Sequence, residues 1–274
     1  MTLKKIFSVT MFVLGLALLL INVFGLFKSL RNEELYSEIT PYKDDISIRF
    51  EETREQWNLS ENESDKDFAI RVNMLVNHSM AHYWRDEGMK KYNIRVPVWE
   101  NYILNLYRFI KPDFYRKYEF RNYKKAIERG VGICSQPSRA LKGILNDNGI
   151  EAEIYDLAGH VIVPVMFKDG TGYVMDPDYG RYVPYDIEAI EANPELVRET
   201  YSDQNDVYAS HVTEHKVTDD IVDMYEKAGN HVYYMDISFE NFSYIVIWII
   251  PLLLMLPYII TFYRTLKKEK NEQS

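Results

Sequence analysis

The sequence predicts an α+β protein in which a cysteine-bearing helix packs on an antiparallel sheet, held between two transmembrane helices. Three observations carry this. The 274-residue chain has an uncharged 22-residue run near each end, 6–27 and 242–263. Between them a helical spacing of apolar residues gives way to a strand, a hairpin signal and a second strand. The only cysteine, Cys134, stands where that helix begins.

The two runs are long enough for the membrane. At about 1.5 Å per residue they match a hydrocarbon core of about 30 Å. The first exceeds a signal-peptide core, and Gly25-Leu-Phe-Lys-Ser offers no small-x-small cleavage site, so it reads as an uncleaved anchor. Pro251 and Pro257 interrupt the second, which membrane helices tolerate. Arg264, Lys267, Lys268 and Lys270 follow the second run, and no Lys or Arg lies between Ala228 and Asn241 on its other side. This asymmetry places the C-terminus in the cytoplasm; two spans then place the N-terminus there, with Lys4 and Lys5.

The expected organisation is a cytoplasmic tail (1–5), a transmembrane helix (6–27), a charged stalk (28–64), an extracytoplasmic domain (65–241, core 121–185), a transmembrane helix (242–263) and a cytoplasmic tail (264–274). The exported part carries 26 basic and 39 acidic residues. Such a surface repels polyanions, so nucleic acid is not an expected partner. With one cysteine there is no internal disulfide, and an unpaired exported thiol is a liability unless it is used.

Within the domain, Phe68, Val72, Leu75, Met80 and Tyr83 recur at helical spacing, with Ser64 as N-cap and Gly88 as stop. Trp99, Tyr102, Leu106, Phe109 and Ile110 share a helical face. Both segments are expected to pack around the cysteine helix. That helix runs from about Cys134 to Asn148, on Ala140, Leu141, Ile144 and Leu145, and Pro137 fits only its first turn. Cys134 thus lies at a helix N-terminus, where the dipole and free N–H groups favour a thiolate and can hold an oxyanion. Gly130 and Gly132 allow a close backbone approach just before the thiol.

Ile150–Leu157 alternates as a strand. His160–Phe167 is a continuous apolar run, as in a strand buried on both faces. Asp169-Gly-Thr-Gly172 is a hairpin signal, and Tyr173–Asp176 runs back beside the histidine strand. His160 begins one strand and Asp176 ends the other, so both fall at one end of the hairpin. Cysteine, histidine and aspartate in this order are a nucleophile, its base and the carboxylate that orients the base.

These residues carry a resemblance. Gly132-Ile-Cys134, the helix end Leu145-Asn-Asp-Asn-Gly149-Ile-Glu-Ala152, His160 and Gly172-Tyr-Val-Met-Asp176-Pro177 together resemble the transglutaminase-like superfamily, relatives of papain-like cysteine peptidases, in a membrane-anchored bacterial form. The similar stretch covers about a fifth of the chain. Ile162 and Tyr173 stand where many members carry tryptophan. The resemblance implies a transglutaminase-like/papain-like core, a catalytic Cys134, His160 and Asp176, and acyl transfer from a peptide or protein amide at the cell envelope. The calcium sites of the animal members have no counterpart in this chain, so no metal is carried over, and no cofactor is expected. The acceptor is water, for a peptidase or amidase, or an amine, for a cross-linker. A non-catalytic envelope module of the same fold is the alternative.

Tyr115, Tyr118 and Tyr123 precede the thiol; core packing is the ordinary role for each, oxyanion donation the special one. His78-Ser-Met-Ala-His82 puts two imidazoles on one expected helix face but lacks a zinc-peptidase glutamate. His211-Val-Thr-Glu214-His215 formally matches an inverted zinc-peptidase motif, in a β-branched setting that weakens a helix.

Overall fold

A computed structural model describes residues 3–36, 46–156, 160–193, 195–198, 200 and 219–272. It is α+β. Along the chain come α1 (Leu3–Gly25), α2 (Phe50–Gln56), α3 (Asp65–Ser79), β1 (Ala81–His82), α4 (Gly88–Lys91), α5 (Val98–Tyr107), α6 (Pro112–Tyr115), α7 (Tyr123–Arg129), β2 (Val131–Gly132) and α8 (Ser135–Asp147). There follow β3 (Glu151–Ala152), β4 (Tyr155–Asp156), β5 (Val161–Met166), β6 (Gly172–Asp176), β7 (Arg181–Val183), α9 (Ile187–Ala192), α10 (Glu195–Arg198) and α11 (Asp219–Glu272). The chain divides into two units: 1–29 with 95–116 and 238–274, and 30–94 with 117–237.

The first unit holds two helices long and apolar enough to cross a membrane, Leu3–Gly25 and Phe239–Glu272. Gly15 lies where the two meet: a Cβ there would stand 2.6 Å from the Pro251 carbonyl oxygen, so only glycine permits the approach. Pro251 has no N–H to give the carbonyl four residues back, that of Ile247. Two side chains replace the missing donor. Asn22 Nδ2 donates to Ile247 O at 2.6 Å and the Tyr102 hydroxyl donates to it at 2.9 Å.

Removing either donor, as Asn22→Leu or Tyr102→Phe, is expected to cost about 0.6–1.7 kcal/mol. The double variant should cost more than the sum, because the carbonyl then has no donor in an apolar setting. Unfolding midpoints of the four proteins in one detergent test this; strict additivity would show that the carbonyl is not the shared partner.

Helix α5 belongs to this first unit and packs on α1. The helix ends at Tyr107, before Phe109 and Ile110 of the expected face, and its Tyr102 reaches the C-terminal apolar helix. Leu106, Phe109, Ile110 and Phe114 are exposed on the same unit.

In the second unit α8 packs against α3, α7 and β5. Antiparallel pairing orders the strands β3-β5-β6-β7, with β4 pairing on β5. Val163 faces Met175 and Asp176 faces Arg181. Ile162, Val174, Val183, Ile190 and Val197 form an apolar cluster, fixing the register of three strands against α9 and α10. The expected single strand over 150–157 is two short pieces, β3 and β4.

Part of the expected stalk also packs into this unit. Leu30, Leu35 and Thr53 are buried. So is Arg31, whose guanidinium donates to the carbonyls of Ser79 (2.8 Å), Ile127 (2.5 Å) and Glu128 (3.2 Å). Two of these are last-turn carbonyls of α7, which lack intrahelical donors and attract a cation. Charge density made the segment look solvated, but an arginine that caps a helix C-terminus is a buried residue.

Candidate functional site

Cys134 is partly buried and forms the N-cap of α8, with helical φ −44° and ψ −35°. Asn148 closes the helix. Side chains around the first turn are tightly held. Glu119 accepts from the Ser135 hydroxyl, and from Arg139 Nη1 at 2.7 Å. Gln136 is fully buried; its Oε1 accepts from the Phe120 N–H at 2.8 Å and its Nε2 donates to Phe120 O at 2.9 Å. Gly132 is required by this packing, since a Cβ would lie 2.3 Å from Gln136 Cβ. Gly130, at φ 73°, ends α7 in the left-handed conformation and lets the chain turn into β2.

The histidine comes from the start of β5. Its strand is tied to the cysteine helix by the Ser138 hydroxyl, which donates to Val161 O at 2.9 Å from one turn beyond Cys134. His160 Nε2–H donates to Asp176 Oδ2 at 2.7 Å, with the two side chains 3% and 0% exposed, so the contact is dry. The second oxygen, Asp176 Oδ1, accepts from the Tyr179 N–H at 3.2 Å. The Tyr179 ring lies edge-on to the imidazole, with centroids 5.2 Å apart. With Nε2 committed to Asp176, Nδ1 is the nitrogen left for Cys134, which is within hydrogen-bonding reach. Burial works against a charged imidazole. The hydrogen bonds to Asp176 and Cys134 outweigh it, and His160 is pushed up to about 10.

A residue that sequence reasoning missed completes the cluster. A carboxylate oxygen of Asp178, a ring nitrogen of His160 and Cys134 Sγ all lie within 4.8 Å of one another. Asp178 accepts from His82 Nδ1–H at 2.9 Å and 2.8 Å through its two oxygens, and its side chain is only 4% exposed. Asn77 Nδ2 pins this turn from α3 by donating to the carbonyls of Pro177 (3.1 Å) and Asp178 (2.9 Å).

His82 reaches this position because α3 stops at Ser79, well before Gly88. Met80 is extended and β1 pairs in parallel with β2, His82 opposite Gly132, two residues before the thiol. The expected long helix with His78 and His82 on one face is corrected accordingly: His78 is helical and His82 is in a strand. Tertiary pairing with β2 overrode an apolar period that continues past the true helix end. Asp178, two residues from Asp176 in the same turn, was the one signal available.

The tyrosines that precede the thiol have other surroundings. The Tyr123 hydroxyl donates to Asp147 at 2.6 Å. Tyr118 is buried edge-on against Phe120, with centroids 5.3 Å apart. Tyr115 belongs to the first unit. His211 and His215 lie outside the described residues.

Chemically, a thiol beside an imidazole that is itself held by a buried carboxylate combines a nucleophile with a proton acceptor of fixed tautomer. No model of a known protein family matches this chain, and neither a curated protein nor a solved structure matches it significantly.

Proposed function

We propose that this chain is a membrane-anchored thiol enzyme of the transglutaminase-like type that acts on amide bonds outside the cytoplasm. The observation that carries the reading is the chain of contacts from Cys134 through His160 to Asp176 at the mouth of α8. The Cys134 thiolate attacks the amide carbonyl carbon, its proton already resting on His160 Nδ1. Nδ1 returns that proton to the departing amine as the C–N bond breaks, leaving a thioester. Water or an amine then displaces the thiol, its proton again taken by His160. Asp176 holds the imidazole throughout. The N–H groups of Cys134 and Ser135 serve the oxyanion, since that of Gln136 is given to Ile133 O and Pro137 has none. Water is the favoured acceptor, because transfer to an amine needs a second site that excludes water.

The test is capture of the acyl-enzyme by mass spectrometry on the full chain in detergent, with envelope peptides and a labelled primary amine. A thioester on Cys134 that hydrolyses supports the reading. Efficient amine incorporation would reverse the choice of acceptor. With no adduct from a broad donor panel, the non-catalytic module would be the better account. Alkylation at pH 6 checks the dyad independently. It is expected to be fast, and slower by at least about tenfold in His160→Ala, where the imidazolium that stabilises the thiolate is gone.

The two apolar helices, the basic C-terminal flank and the exposed apolar turn at 106–114 support placement in the cell membrane with both termini cytoplasmic. A reporter fused after Ser274 that works only outside the cytoplasm should be silent. An active one would invert the topology.

A further inference from the structure

We propose that Cys134, His160 and Asp178 form a binding site for a borderline-soft divalent metal ion, of which Zn²⁺ is the type, and that its occupancy masks the thiol. This deepens the proposed function: it names a regulator of the same site and rests on that reading only for the consequence, not for the binding.

The donor set comes first. One thiolate, one imidazole nitrogen and one carboxylate oxygen make a mixed set that suits zinc and discriminates against magnesium and calcium, which seek oxygen alone. The three donor atoms lie within 4.8 Å of one another. A tetrahedral zinc spaces such ligands by about 3.3–3.7 Å, so the donors close by about an ångström, within the range of small side-chain rotations. Cys134 is partly exposed, which leaves an approach for the ion and a fourth position for water or a ligand.

The outer ring of contacts is the stronger argument. Metal-bound histidines characteristically donate their second N–H to a carboxylate, and metal-bound carboxylates are themselves hydrogen-bonded. Both partners exist already. His160 Nε2–H is held by Asp176 at 2.7 Å, leaving Nδ1 as the coordinating atom. Asp178 is held by His82 Nδ1–H at 2.8 Å. A thiol–imidazole–carboxylate chain for acyl transfer uses Asp176 and needs neither Asp178 nor His82. Their arrangement around the same thiol has a use if a cation sits there. On binding, the metal takes a lone pair of Sγ and the place of the proton on His160 Nδ1, and that one proton leaves to water. The nucleophile's lone pair and the imidazole's Nδ1 are then both occupied, so attack on an amide stops until the ion dissociates.

The experiment uses the full chain in detergent, stripped of metal with a chelator. It is titrated with Co²⁺, whose thiolate charge-transfer absorption reports coordination by Cys134, and then with Zn²⁺ in competition. One ion per chain with a charge-transfer band is expected, absent in Cys134→Ser. Asp178→Asn should weaken binding by at least about tenfold. Asp176→Asn and His82→Ala should weaken it by about 10–100-fold through the outer contacts. Asp178→Glu, which keeps the donor, should restore part of the affinity, and circular dichroism on each variant excludes unfolding as the cause. Wild-type protein with no charge-transfer band, or unchanged affinity in folded Asp178→Asn, would overturn the proposal. Cys134 alkylation with and without one equivalent of Zn²⁺ separates the two readings. Fast alkylation that zinc does not suppress leaves the enzyme and removes the metal site. Tight metal binding with no acyl-enzyme under metal-free conditions leaves the metal site and removes the enzyme.

Discussion

Under the proposed function, Cys134→Ala is expected to abolish acyl transfer, with a loss on the order of 10⁵–10⁶-fold in kcat, because the chain has no other thiol. His160→Ala should match it, since formation of the thiolate and departure of the amine both route their proton through Nδ1. Asp176→Asn should fall less far, by roughly 10⁴-fold, because the carboxylate orients the ring and touches no reacting atom. The order of the three losses is the informative part. Turnover of an activated amide donor, measured on proteins with matched circular dichroism, gives it directly. If Asp176→Asn were as inactive as Cys134→Ala while still folded, Asp176 would have a larger role than orientation. If Asp178→Asn lost more than Asp176→Asn under metal-free conditions, the orienting carboxylate would be misassigned. The fold should survive Cys134→Ala, which removes one sulfur atom. Asp176 is fully buried and serves both His160 and the Tyr179 N–H, so asparagine, which preserves its shape, is the appropriate replacement.

Arg129→Met carries the largest expected effect on stability. Arg129 is fully buried at the end of α7. Its guanidinium donates to the carbonyl of Val131 at 3.1 Å through Nη2, to the carbonyl of Tyr118 through Nη1, and to Gln136 Oε1 at 2.9 Å. It also faces the rings of Phe120 and Trp84, 4.9 Å and 5.8 Å from their centroids. Methionine restores much of the volume and none of the donors. These two carbonyls, the Ile94 carbonyl at 3.5 Å from Nη1 and a buried amide oxygen then lose a donor in an apolar setting, at about 1–3 kcal/mol each before relaxation. A net loss of about 3–5 kcal/mol is expected. Because Gln136 belongs to the first turn of α8, the damage should extend to the site: alkylation of Cys134 should lose its dependence on His160 before the unit unfolds. Denaturant titration followed by circular dichroism, with alkylation at each step, resolves the two events. A loss below about 1 kcal/mol would mean that water replaces the guanidinium.

Much of the site was legible in the chain because it is local. Cys134 heads a helix marked by Pro137 in its first turn and by Ala140, Leu141, Ile144 and Leu145 on one face. His160 and Asp176 are 16 residues apart in one hairpin, announced by Asp169-Gly-Thr-Gly172. Turn chemistry and strand period place such residues at the same end of a ladder whatever the rest of the protein does. The apolar runs at 6–27 and 242–263 are equally self-evident, since spanning a bilayer is a property of length and composition within one segment.

What the chain alone did not determine depends on partners far away in sequence. His82 reads as a helical residue until Val131 and Gly132 offer β1 a parallel edge, 49 and 50 residues later. Asp178 reads as turn chemistry until His82 and Asn77 hold it beside the thiol. Arg31 reads as a stalk charge until the last carbonyls of α7 require a donor. The aromatic helix α5 was visible as a helix, but only tertiary packing assigned it to the apolar terminal helices, and only there does its Tyr102 hydroxyl answer the carbonyl that Pro251 leaves open. Local spacing thus determined where Cys134, His160 and Asp176 fall and where the two long apolar helices lie. Long-range pairing, which responds to unsatisfied backbone groups rather than to sequence period, decided which buried polar side chains surround them.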